Sequence, residues 1–189
     1  IYSNSKIHFI ILINQMQKYF IYSILAFLYI SLSAKEPLAN QLEYLKKIGD
    51  AKLKVLFWDI YNASLYSKTK EYKEELFPQA LQIIYLRNIN SEDLIEKTQE
   101  EWEKLGIKQV KFNKWITLIK NIFPDIKKGD KLLFIVYENQ RSEFFLNGKT
   151  IGEISDITFG KSFLRIWLDE NCSFPELRKK LIGSDNKVP

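Results

Sequence analysis

Fifteen consecutive residues, Lys52 to Tyr66 (KLKVLFWDIYNASLY), alternate with a period of two. Leu53, Val55, Phe57, Asp59, Tyr61 and Ala63 share one face, and Lys54, Leu56, Trp58, Ile60 and Asn62 the other, the pattern of a strand with one side turned to a core. A run of this length predicts one bent strand or a hairpin. A second strand is expected over Phe77 to Asn88, where Leu81, Ile83, Tyr85 and Arg87 fall on one face, so that a guanidinium ends an apolar row. The period then changes. Ser91 with Glu92-Asp93 predicts an N-cap and an acidic first turn, followed by Leu94, Thr98, Trp102 and Leu105 up to a stop at Gly106. Phe112, Trp115, Ile116, Ile119, Ile122 and Phe123 form a second helical stripe, ended by Pro124. Lys131 to Tyr137 (KLLFIVY) is a buried strand, and Ser142–Leu146 pairs with Lys149–Ile154 across Asn147-Gly148, two residues that tolerate positive φ. Asp156 is expected to cap a helix through Phe159, Phe163, Ile166, Trp167 and Leu168. A capping box, Ser173-Phe174-Pro175-Glu176, opens a last helix that stops at Gly183. Grouped rather than alternating elements imply an α+β fold, an antiparallel sheet with its helices on one face.

The N-terminal part is of a different kind. Tyr19 to Leu32 is an uncharged apolar run between Met16-Gln17-Lys18 and the small residues Ser33-Ala34, the layout of a secretory signal peptide over residues 16–34. An uncleaved anchor is the alternative, although the run is shorter than the ~20 residues that span a bilayer. Residues 1–15 are expected to be an over-extended start, 35–183 a single domain and 184–189 a tail, and the chain is expected to be periplasmic or otherwise exported, with no stable membrane span after cleavage. The only histidine, His8, lies ahead of the expected cleavage point, so the processed domain would lack the imidazole that Ser-His-Asp and Cys-His catalysis, His-ligated zinc and haem require. The lone Cys172 supports neither an internal disulfide nor a thiolate cluster. Residues 1–34 hold two of the 28 basic residues and none of the 23 acidic ones, which leaves a mature net charge of +3, too mild to imply a nucleic-acid partner.

No phosphate loop, dinucleotide glycine pattern, HExxH, nucleophile elbow or calcium loop occurs, and neither a metal nor a cofactor is expected. The groups left for recognition are Tyr, Arg, Lys, Asp and Glu. Arg87 either aims its fork at an anion within an apolar layer or sits where that face turns to solvent. Asp59, beside Phe57 and Tyr61, is a partner for such an arginine or a carboxylate facing water at a strand bend. The four tryptophans line a cavity for a flat or long-chain ligand or belong to the core. Cys172 has no neighbour that would make it reactive.

The run Val55 to Tyr66 resembles the hallmark strand of the bacterial chalcone isomerase-like proteins. So do Ala80 to Ile89, the turn from Phe123-Pro124-Asp125 to Gly129-Asp130, Asn147-Gly148 with Ile151-Gly152, Asp156 to Leu168, and Leu177-Arg178 to Gly183. The resemblance implies a curved antiparallel sheet covered by helices, with a ligand cleft between them. Plant members of the wider family close a flavanone ring with an arginine ahead of the hallmark strand, a threonine on it, and a downstream tyrosine and asparagine. Here Tyr61 takes the threonine position, and Lys46-Lys47-Ile48-Gly49-Asp50 stands where the arginine would be. Fatty-acid-binding relatives place a tyrosine at the Tyr61 position and pair it with an arginine, for which Arg87 is the candidate here.

The resemblance and the residues together imply a non-catalytic binder of a small apolar or amphipathic ligand such as a fatty acid. Tyr61 and Arg87 would hold the head group, with Phe57, Trp58, Asp59 and Tyr85 around the cleft. An intramolecular lyase or isomerase working through Tyr61, and an envelope interaction domain, are the alternatives.

Overall fold

The structure, a computed structural model, describes residues 42–184. His8, the apolar run Tyr19–Leu32 and the expected cleavage point lie outside them. Six strands, β1 (Lys46–Val55), β2 (Trp58–Ser67), β3 (Gln79–Tyr85), β4 (Lys131–Val136), β5 (Ser142–Leu146) and β6 (Lys149–Ile154), form one antiparallel sheet in sequence order. Four helices, α1 (Ser91–Lys104), α2 (Gln109–Lys120), α3 (Phe159–Leu168) and α4 (Pro175–Leu181), complete an α+β fold. The alternating run is a hairpin, since Val55 pairs with Trp58 across the two-residue turn Leu56-Phe57. The Asn147-Gly148 turn forms as expected, with φ of 51° and 85°.

Alternation decides which side chains meet the helices. Ala51, Leu53, Ala63, Leu65, Leu81, Ile83, Tyr85, Phe134 and Phe144 face them and form the main core with Trp102, Trp115, Phe159 and Phe163. The opposite face carries a smaller cluster of Leu45, Ala80, Leu133, Ile135 and Phe145. Trp102 and Trp115 are fully buried. Their indole N–H groups are satisfied by the Ser162 carbonyl at 2.9 Å and Asp156 Oδ2 at 3.0 Å, which lets two polar-edged rings sit in an apolar interior without an orphaned donor.

Three helix starts differ from expectation. Asn90, not Ser91, caps α1, because its extended backbone brings Oδ1 within 2.7 Å of the Asp93 amide. No side chain caps α3, and Asp156 instead folds the turn ahead of it, accepting from the Thr158 amide and hydroxyl. The Ser173 capping box does not form. The Ser173 hydroxyl donates to Glu101 on α1, and α4 starts at Pro175 with no side-chain cap.

Candidate functional site

Between the sheet and the helices lies a largely apolar cavity of about 460 Å³, within the ~300–1,000 Å³ of small-molecule sites. Its sheet wall is built from the ends of β1, β2 and β3 (Leu53, Tyr61, Ile83, Tyr85), and its helix wall from α1, α3 and α4, with Phe163 and Trp167 prominent. The polar groups inside it are few. Tyr61 and Tyr85 are direct cross-strand partners, their rings edge-on with centroids 6.1 Å apart. The Tyr61 hydroxyl accepts a 2.8 Å hydrogen bond from Trp167 Nε1, which fixes the ring and leaves the phenol proton free to be donated. Tyr85 is 4% exposed and lines the cavity, and its hydroxyl has no hydrogen-bond partner among the described residues. Burial pushes both phenols above their ordinary pKa, so both are proton donors at neutral pH.

Of the acids that α1 brings to this cavity, one is buried. Glu101, 3% exposed, accepts from the Ser173 hydroxyl and lies 2.9 Å from the Lys97 ammonium, a contact of charges without hydrogen-bond alignment. Burial alone would raise its pKa, but Ser173 and Lys97 outweigh that and hold it below the usual carboxylate range. Sequence reasoning passed over Glu101, although its spacing from Leu94 and Thr98 puts it on the inward stripe of α1. Cys172 also borders the cavity, buried, its thiol pushed up by burial and thereby kept protonated.

Of the residues singled out from the sequence, Tyr61 and Tyr85 come together here and the other four do not. Phe57 sits on the hairpin turn, 91% exposed. Trp58, 59% exposed, is beside it. Asp59 leaves the Tyr61 face because the ladder skips Ile60, passing from Leu53↔Tyr61 to Lys54↔Asp59, and it pairs with Lys52 at 2.9 Å. Arg87 lies past the end of β3, where the Tyr85 main chain is closed by Gly129 and Asp130 and the chain turns towards α1. Its guanidinium stacks 4.1 Å from the Trp58 ring centroid, outside the cavity lining. The tryptophans divide between both expectations: Trp102 and Trp115 are core, Trp167 is cavity wall and Trp58 is surface.

Within the Lys46–Asp50 stretch, which holds no arginine, Gly49 is a position that cannot carry a side chain. A Cβ there would lie 2.1 Å from the Lys180 carbonyl oxygen and 2.7 Å from that of Leu181, so β1 and the end of α4 meet backbone to backbone, with no space for a side chain. Among the described residues no cluster of His, Cys, Asp and Glu could hold a metal ion, and no helix is long and apolar enough to cross a membrane.

The architecture has counterparts. A fatty-acid binding protein of Arabidopsis thaliana has the same fold, with a TM-score of 0.58 over 75% of this chain and 88% of that one, at 10% sequence identity. An uncharacterized protein of Haemophilus influenzae is 28% identical over 136 residues, 72% of this chain and 67% of its own length. A family model described as chalcone isomerase-like matches residues 43–183, almost the whole of the described sheet and helices, and the chain therefore belongs to the chalcone isomerase-like family.

Proposed function

We propose that this protein binds, without chemical conversion, a small and mainly apolar molecule between sheet and helices, with the polar end of that molecule at Tyr61 and Tyr85. The observation that carries the proposal is the Tyr85 hydroxyl, a donor on a buried ring that lines an apolar cavity, with no partner among the described residues. The fatty-acid-binding function of the Arabidopsis protein supports an acyl-chain compound as the ligand class. The charges around the cavity refine that class. With Arg87 outside, its charged side chains are Lys97 against Asp93, Glu96, Glu100 and Glu101, and Lys97 is already engaged by Glu100 and Glu101. Two neutral phenol donors beside a buried carboxylate favour an uncharged oxygen, such as that of an ester, an alcohol or a protonated acid, over a carboxylate anion. The same raised phenol pKa values count against general-base catalysis, which needs a phenolate near neutrality.

Native mass spectrometry with organic extraction, followed by titration of delipidated protein with cis-parinaric acid and its methyl ester at pH 8, tests this function. The ester is expected to bind at least as tightly as the anion, with about 5–10-fold weaker binding in Tyr85→Phe, equivalent to one hydrogen bond of ~1–1.5 kcal/mol. No extractable ligand and no saturable binding of either probe would refute it. The apolar run Tyr19–Leu32 supports export as part of the same proposal, checked by N-terminal sequencing of protein from a periplasmic fraction.

A further inference from the structure

We propose that the β1–β2 hairpin tip is a membrane-docking element, which inserts Leu56 and Phe57 into the surface of a phospholipid bilayer and brings the cavity mouth onto it. Val55, Leu56, Phe57 and Trp58 are 41%, 82%, 91% and 59% exposed, and the other large exposed apolar side chains among the described residues, Tyr44, Val110 and Ile157, stand singly. Four consecutive apolar residues turned to solvent are a cost for a protein that stays in water.

The backbone adds to that cost. Leu56 has φ of 52°, and Phe57 after it does not share the positive sign, which is the dihedral signature of a turn whose first position ordinarily belongs to glycine. A leucine held in the left-handed region gains nothing in return from the protein, because its side chain packs against almost nothing.

Several features favour a bilayer as the occupant. The tip is convex and only four residues long, short of the ~800 Å² per partner of a specific protein interface, whereas a bilayer requires no complementary surface. Behind the tip, the Arg87 guanidinium stacks on the Trp58 ring, and an indole and a long basic side chain are both favoured at head-group level. Among the described residues neither Arg87 nor Lys54 forms an ion pair, and while Lys54 faces the Asp59 carboxylate across the ladder, the Arg87 charge is available to lipid phosphates. Asp93, Glu96 and Glu100 border the cavity on α1, so apolar insertion carries the binding and anionic lipid only strengthens it. Val55 belongs to both the exposed tip and the cavity wall, so insertion of the tip brings that wall to the bilayer, where apolar molecules reside.

The test uses the full chain with an environment-sensitive fluorophore on Phe57→Cys, a selective label because the one native cysteine, Cys172, is 6% exposed. Vesicles of phosphatidylcholine, alone and mixed with phosphatidylglycerol, are expected to shift the emission to the blue. The double change Leu56→Asp with Phe57→Asp is expected to lower the vesicle partition coefficient at least about tenfold while methyl parinarate binding is kept. Asp tolerates the left-handed backbone better than Leu, so this variant folds at no backbone cost. The inference is overturned if the label stays water-exposed on vesicles that carry the protein, if the double variant partitions like the parent, or if it converts a dimer to a monomer, which would show that the tip is covered by a second copy. Loss of parinarate binding in the parent protein, with the emission shift intact, would refute the cavity proposal and leave docking standing.

Discussion

Tyr61 and Tyr85 face each other across the ladder, yet removing their hydroxyls is expected to affect stability differently. The Tyr61 oxygen is the acceptor for Trp167 Nε1 at 2.8 Å, so Tyr61→Phe strands a partly buried indole N–H. Leaving such a donor unpaired costs ~1–3 kcal/mol, and Trp167 is only partly buried, so a loss of about 1–2 kcal/mol is expected. The Tyr85 hydroxyl has no partner among the described residues to lose, so Tyr85→Phe is expected to change the stability of the delipidated protein by less than ~0.5 kcal/mol. For ligand affinity both variants lose a hydrogen bond to the ligand, but only Tyr85→Phe does so without a loss of stability. Urea denaturation of both single variants, of Trp167→Phe and of the Tyr61→Phe/Trp167→Phe pair, with methyl parinarate titrations alongside, measures both properties. The Tyr61–Trp167 coupling is expected at about 1 kcal/mol. A Tyr85→Phe variant destabilised by more than ~1 kcal/mol would show that its hydroxyl is satisfied within the protein, and the argument for a ligand contact there would fail.

Gly49→Ala forces a Cβ against two α4 carbonyl oxygens that no rotamer change can move, and a loss of about 3 kcal/mol, or roughly 6–12 °C in Tm by calorimetry, is expected. Leu56→Asn relieves the positive φ with almost no packing to lose and is expected to raise urea-derived stability by about 0.5–1 kcal/mol. Asp156 is desolvated, which would raise its pKa, but bonds from Trp115 and Thr158 outweigh this and lower it from 3.8 to about 2. A depressed carboxylate contributes stability that is complete above its unfolded pKa and lost as pH falls through the folded one. Asp156→Asn should therefore flatten the fall in urea midpoint between about pH 4 and pH 2, by about 1 kcal/mol once solvent screening of this partly exposed group is allowed for.

The order of elements was legible in the sequence wherever a short-range rule governs it. Alternation over Lys52–Tyr66, the Asn147-Gly148 turn and the α2 stripe all appear in the structure, because strand pleat, positive φ and helical period are properties of a few neighbouring residues. Reasoning from period alone failed where the chain departs from regularity. The skipped Ile60 turned Asp59 outward, the end of β3 at Tyr85 took Arg87 off its row, and the two-residue turn carried Phe57 away from the Tyr61 face. The family resemblance located the cleft and Tyr61, but the arginine it called for was sought on β3, and the cavity holds none.

An antiparallel sheet with grouped helices, a body poor in the common catalytic groups, and Tyr61 and Tyr85 on inward faces of adjacent strands were all written in the order of residues along the chain. The surroundings of those tyrosines were not, and came only with folding. Trp167 reaches Tyr61 from 106 residues away, and Ser173 abandons its own helix start for Glu101, 72 residues distant. Gly49 gives up any side chain so that α4 can close on β1. Local patterning sets which way a side chain points, whereas the polarity of the space it points into depends on contacts between segments remote in sequence, and that polarity separates a site for an anion from a site for an uncharged oxygen.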